Sequence, residues 1–149
     1  MTDRASLVGS VVLQCRATLS LASEVAGAVA SMCLQCSPSL RGLIGSACME
    51  ALTNIVKYSY KMDERGTIVV RLTLQENSLA ISIQDSGVGM SEARFARSGA
   101  SVEFDPAVTS ELPECGMGIA IIKGVMDRVS YRQTEQFNIL YLEKLWDIP

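Results

Sequence analysis

Histidine is absent from this chain of 149 residues, which removes the commonest metal ligand. Cysteine does not fill the gap. Its five copies are an odd number, only Cys33 and Cys36 form a CxxC pair, and no imidazole stands by to complete a zinc site. No metal cluster is expected from them, and the thiols read as small buried hydrophobes in a reducing compartment. Cys115 alone precedes a glycine turn where a helix N-terminus could lower a thiol pKa. Clustered base is missing too: 13 Lys and Arg against 16 Asp and Glu leave a net charge of −3, with no basic run to displace counterions from a nucleic acid. There is also no stretch of about 18 apolar residues to span a bilayer. Arg16 and Glu24 interrupt the apolar N-terminal third, which argues against reading MTDR and VAGAVA as a targeting segment. A cytoplasmic protein without membrane or direct nucleic-acid contact is the expectation.

What is present suffices for a core. Hydrophobic residues make up 48% of the chain, there is no internal repeat, and one domain over 1–149 is expected. Val11, Leu13, Cys15 and Ala17 alternate with polar neighbours as an opening strand, and Leu21, Val25, Ala28 and Met32 then recur at helical spacing. Ser37 and Pro38 open a second helix, whose stripe runs Leu40, Leu43, Ile44, Ala47, Ala51, Ile55, Tyr58. Ile68 to Leu74 and SLAISIQ predict a hairpin. Residues 91–115 lose periodicity and are longer than ordinary connections, which suggests a lid. A helix from about Gly118 to Arg128 and a final strand pair, VSYRQ and FNILYLEKLW, complete the order β-α-α-β-β-lid-α-β-β. Grouped strands with helices between the groups predict an α+β fold: a two-layer α/β sandwich on a mixed, mostly antiparallel sheet.

Three short motifs carry chemistry. In ACMEALTNIVKYSY, Glu50 and Asn54 stand four residues apart at the border of the helical stripe, so a carboxylate and an amide project side by side. DSGVG, at 85–89, ends an apolar run with an acid and two glycines. GMGIAIIKGVMD, at 116–127, opens a helix with a Gly-Met-Gly turn whose free N–H groups could hold phosphate. Singly, each has a plainer reading: a solvated helix face, a turn, a helix boundary. In this order they read as an ATP site.

The three motifs together resemble the GHKL ATPases with the Bergerat, or histidine-kinase-like, nucleotide fold, and within them the anti-sigma factor serine/threonine kinases of bacterial partner-switching circuits. EALTNIVKYSY resembles the N-box, DSGVGM the first glycine box and GMGIAIIKGVMDRV the second, and the likeness extends over nearly the whole chain. The resemblance implies that Asn54 coordinates Mg²⁺ and that Glu50 is the general base toward an incoming Ser or Thr hydroxyl. It implies that Asp85 accepts a hydrogen bond from the adenine amino group of ATP or ADP, with Gly87 and Gly89 letting backbone approach the base. Gly116, Met117 and Gly118 would shape the phosphate cradle, with Lys57 a further phosphate contact.

Two features depart from the family pattern. Glu114 stands where sporulation-type kinases have an arginine that holds the γ-phosphate, for which Arg94 or Arg97 could substitute. Phe137 and Asn138 replace a Gly-Thr pair, and the Asn138 amide could supply the adenine contact of that hydroxyl. The implied activity is sequestration of a sigma factor together with phosphorylation of a STAS-domain anti-anti-sigma antagonist, by a homodimer. The alternative is a catalytically weak or inactive nucleotide-binding switch that acts by sequestration. A sensor histidine kinase is disfavoured by the absence of any histidine to serve as phosphoacceptor, and the large GHKL chaperones and topoisomerases by length.

Overall fold

Ile68, Val70, Leu72 and Leu74 point inward from one strand, and Leu79, Ile81 and Ile83 from its neighbour, so that period-two patterning puts one apolar face on the sheet. The computed structural model describes residues 8–97 and 114–147. They form β1 (Gly9–Arg16), α1 (Leu19–Met32), α2 (Pro38–Asn54), β2 (Thr67–Gln75), β3 (Ser78–Asp85), α3 (Glu92–Arg97), α4 (Glu114–Val125), β4 (Arg128–Gln133) and β5 (Asn138–Leu145). A π-helical turn, Ile55–Ser59, prolongs α2.

The strands lie in the order β1-β2-β3-β5-β4. Every pairing among them is antiparallel, where the sequence suggested a mixed, mostly antiparallel sheet. The reason is connectivity. Two helices separate β1 from β2, so the chain reverses three times between them, and an odd number of reversals leaves those strands antiparallel. Among the described residues a single long helix, α4, separates β3 from β4, which do run parallel, but β5 is inserted between them and no parallel ladder forms.

Helices α1, α2 and α4 cover the apolar face. The Thr18 hydroxyl caps α1 by accepting from Leu21 N at 3.1 Å, and Ser37 caps α2 by accepting from Leu40 N at 3.2 Å, with Pro38 in the first helical position. Their buried faces are mostly small: Ala22, Ala26 and Val29 on α1, Ala47, Cys48 and Ala51 on α2. A Cβ on Gly45 would stand 3.1 Å from the Ala30 methyl, so the two helices approach closely there.

Two boundaries differ from expectation. The stretch expected as an aperiodic lid begins with α3, whose Phe95 is buried and whose Arg94 N–H is capped by Ser91 Oγ at 3.2 Å; positions 98–113 of that lid lie outside the described residues. Helix α4 runs Glu114–Val125 rather than 118–128. It stops early because Asp127 is recruited by β5, its Oδ2 accepting from Leu145 N at 2.7 Å.

Candidate functional site

Between the end of α2, the base of α3, α4 and the sheet lies a cavity of about 320 Å³. Its walls are largely apolar, from Ile55, Met90, Phe95, Ile119, Ile122 and Leu140, and Asp85 and Asn54 bring polar atoms to it. The volume falls at the lower end of small-molecule sites.

Asp85 is the last residue of β3 and only 4% exposed. A carboxylate so deep in the fold must be met by donors. Its Oδ1 accepts three: the Ser59 hydroxyl, the Gly87 N–H at 3.0 Å and the Asn138 amide at 2.9 Å. Among the described residues no protein donor reaches Oδ2. One oxygen of the carboxylate is thus fixed by protein and the other remains for a ligand donor.

The 87–89 strap is shaped by its neighbours. A Cβ on Gly87 would lie 2.4 Å from both the carbonyl oxygen and the hydroxyl of Ser59. Gly89 adopts φ +64°, and a Cβ there would lie 2.3 Å from Asn138 Oδ1. Both positions therefore require glycine, the first for space and the second for space and conformation. Ser59 holds the strap from below: its carbonyl accepts from Val88 N at 2.9 Å and its hydroxyl from Gly89 N at 3.0 Å. The Tyr131 hydroxyl accepts from Met90 N at 2.8 Å, and burial raises the pKa of that phenol above its ordinary value.

The other expected site residues fall as follows. Glu50 and Asn54 do sit together, facing α4: a Cβ on Gly118 would lie 3.0 Å from Glu50 Oε2 and 2.9 Å from Asn54 Nδ2. Gly118 thus brings α4 against the polar edge of α2. Gly116 and Met117 lie within the first turn of α4, not in a turn preceding it, because the helix starts at Glu114. The side chains of Glu114, Cys115 and Met117 lie outside the described residues. Lys57 is exposed and takes no part in lining the cavity; it is carried outward on the π-helical turn, while Tyr58 and Ser59 of the same turn, and Lys61 just beyond it, reach the wall. Asn138, expected against adenine, is 2% exposed, with both amide hydrogens spent on Asp85 Oδ1 and Gly87 O, each at 2.9 Å. Of the two candidate lid arginines, Arg94 lines the cavity and Arg97 does not.

Sequence reasoning missed Ser59, Tyr131 and Gln133. The first was visible only as the serine between two tyrosines after the Glu-Asn pair, and the others only through strand register. Phe95 stacks on Tyr131 with ring centroids 5.1 Å apart, and Lys123 on α4 lies 4.7 Å over the Phe95 ring while donating to the Phe95 carbonyl at 3.1 Å. Helix α3 is thereby held at the cavity mouth from two sides.

The described thiols are remote from this chemistry. Cys15, Cys33, Cys36 and Cys48 are free and buried, and burial pushes Cys33 and Cys48 up to about 12. No group of three potential ligands for a metal cluster occurs among the described residues, and none of their helices is long and apolar enough to cross a membrane.

Residues 15–144 match the family model described as "Histidine kinase-like ATPase domain". An anti-sigma F factor of Clostridium perfringens is 26% identical over 121 residues, covering 78% of this chain and 81% of that protein. The serine-protein kinase RsbW of Bacillus thuringiensis is 34% identical over 94 residues, 63% of this chain and 58% of the kinase. Among solved structures, a Mycobacterium tuberculosis chain holding RsbU and RsbW domains superposes with a TM-score of 0.64 at 16% identity, covering 95% of this chain and 33% of its own length; that likeness speaks to the fold alone.

Proposed function

This chain belongs to the histidine kinase-like ATPase domain family, and from that premise we propose that it is an anti-sigma factor with ATP-dependent serine/threonine protein kinase activity. Its targets would be a sigma factor, which it sequesters, and a STAS-domain anti-anti-sigma protein, which it phosphorylates. The observation that carries the nucleotide reading is the divided carboxylate of Asp85: Oδ1 saturated, Oδ2 bare, at the wall of an apolar cavity. An exocyclic amine on a flat heterocycle answers to both features, and the glycine strap leaves room for backbone to lie along the ring.

The residues present fit ATP and Mg²⁺. Asp85 Oδ2 would accept from the adenine amino group, Asn54 would offer its amide oxygen to Mg²⁺, and the first-turn N–H groups of α4, Gly116 and Met117 among them, would receive phosphate oxygens. When bound, MgATP supplies the phosphoryl group and screens its charge. Glu50 lies one helical turn from Asn54 on the same edge of α2 and would take the proton from a Ser or Thr hydroxyl at its carboxylate. Arg94 lies on the cavity wall, where a cation could draw on the terminal phosphate. Competition would couple the two activities: dephosphorylated antagonist displaces the sigma factor, and its phosphate lowers its affinity for a nucleotide-loaded acidic site. A homodimer is part of the same proposal.

A purely sequestering switch is the second reading, favoured by the acid at 114 in place of an arginine. One experiment separates the readings. MgATP is titrated calorimetrically into wild type, Asp85→Asn and Asn54→Ala, and transfer of labelled phosphate to a STAS-domain substrate is followed in wild type and Glu50→Gln. Binding lost in Asp85→Asn with transfer lost in Glu50→Gln is the expected result. Binding without any transfer by wild type would leave the switch, and no binding by wild type would end both nucleotide readings.

A further inference from the structure

Asp85, Asn138 and Gln133 occupy one row across the sheet: Asp85 pairs with Asn138 in the β3–β5 register, and Asn138 with Gln133 in the β5–β4 register. Three polar side chains thus follow one another along the cavity end of the sheet. Gln133 Nε2 donates to Asn138 Oδ1 at 3.0 Å and to Val88 O at 2.9 Å. Asn138 Nδ2 passes the polarity on, donating to Asp85 Oδ1 and to Gly87 O. At the far end the Gln133 N–H donates to Glu92 Oε1 on α3 at 3.2 Å.

The direction of this chain is fixed by chemistry. Carboxylate and carbonyl oxygens can only accept, so both hydrogens of Asn138 must face Asp85 and Gly87. Its oxygen must then face Gln133, whose own hydrogens find only acceptors. Neither amide can flip without setting oxygen against oxygen. The relay therefore pins Asp85 Oδ1 and, by the planarity of the carboxylate, aims Oδ2.

We propose that Gln133 and Asn138 are specificity-determining positioning residues: a directional amide relay that holds Asp85 Oδ2 where it accepts from a 6-amino purine and repels a 6-oxo purine. The inference rests on the adenine nucleotide reading above and deepens it. A carboxylate held still both gains the amino hydrogen bond and meets the lone pairs of a 6-oxo group. A carboxylate free to swing loses the first and avoids the second. Relaxing the relay therefore compresses the ratio between the two purines, whereas a pocket that merely loosened would weaken both alike. Glu92 of α3 meets the backbone N–H of the same residue, Gln133, and stands outside the side-chain relay.

The test is the ratio of ATP to ITP dissociation constants for wild type, Gln133→Met and Asn138→Leu, measured by calorimetry with Mg²⁺. Gln133 is exposed, so its replacement is tolerated by the fold even if Asn138→Leu is not. Wild type is expected to prefer ATP, and each variant to lose about tenfold in that ratio, the order of one hydrogen bond. An unchanged ratio in Gln133→Met, with ATP bound normally by wild type, would overturn the relay. Failure of wild type to bind ATP at all would instead overturn the nucleotide reading beneath it.

Discussion

Gly87 offers the sharpest test of how the site is built, because the obstacle to a side chain there is backbone. In Gly87→Ala the new methyl would start 2.4 Å from the Ser59 carbonyl oxygen and 2.6 Å from its carbonyl carbon. Ordinary contact begins near 3.4 Å, so the strap must move outward by about 1 Å. That displacement stretches the Val88 N to Ser59 O bond from 2.9 Å and the Gly89 N to Ser59 Oγ bond from 3.0 Å, beyond useful length. Two weakened hydrogen bonds at about 1 kcal/mol each, with roughly 1 kcal/mol of residual crowding, total about 3 kcal/mol of stability. Urea denaturation reads this directly. Gly27→Ala is the matched control: its Cβ meets nothing within 4 Å at an exposed position of α1, and it should gain about 1 kcal/mol from the better helix propensity of alanine. MgATP titration adds a second readout, since the same shift pulls the Gly87 N–H off Asp85 and should weaken binding at least about tenfold. A Gly87→Ala protein with the wild-type urea midpoint would show that the strap does not rest on Ser59.

Two further predictions concern stability away from the cavity. Burial raises Cys33 and Cys48 from 9.0 to about 12 in the folded state, so their contribution is complete below pH 9.0 and lost as pH rises toward 12, where the unfolded thiols ionise and the folded ones resist. Urea midpoints taken across that window should fall with pH, less steeply in Cys48→Ala than in wild type, and identical slopes would refute the assignment. At the end of α4, Asp127→Ala strips the Leu145 N–H of its 2.7 Å acceptor and should cost about 1–2 kcal/mol by urea denaturation. Asp127→Asn, which keeps an acceptor, should recover most of it. The Lys144 contact at 3.4 Å is partly solvated and adds little, so a Lys144→Ala variant as unstable as Asp127→Ala would reverse that ranking.

Features fixed by local chemistry were legible. Ser37 and Pro38 announce the start of α2 because capping and the fixed φ of proline act within a few residues, and β2 shows its inward face as Ile68, Val70, Leu72 and Leu74. Helix α3 was not legible, since in EARFAR only Phe95 is buried and a single apolar residue has no period. The start of α4 was hidden for the opposite reason: two glycines with low helix propensity lie inside its first turns, and tertiary contact with α2 through Gly118 outweighs that propensity. The order of β5 and β4 in the sheet could not be read from their order in the chain, and that order decides that the sheet is wholly antiparallel.

The site follows the same division between local and long-range cause. Glu50 and Asn54 are four residues apart on one helix, so the sequence alone brings them together. Extending that helix geometry would keep Lys57 beside Asn54, but residues 55–59 leave the α-helical pitch and Lys57 lies off the cavity wall. The π-helical turn changes the pitch within one turn of Asn54, sends Lys57 to solvent, and turns the Ser59 hydroxyl and carbonyl toward a strap that lies about thirty residues further along the chain. Such turns recur at functional positions because the register shift redirects a side chain without ending the helix. Asp85 then draws its donors from three places: Ser59 from that turn, Gly87 from the strap, Asn138 from β5. Two of these donors are separated from it by 26 and 53 residues. No single motif contains the reason that one carboxylate oxygen is spent and the other is free, and it is that asymmetry, set by a π-helical turn and a strand register, on which recognition of the purine would depend.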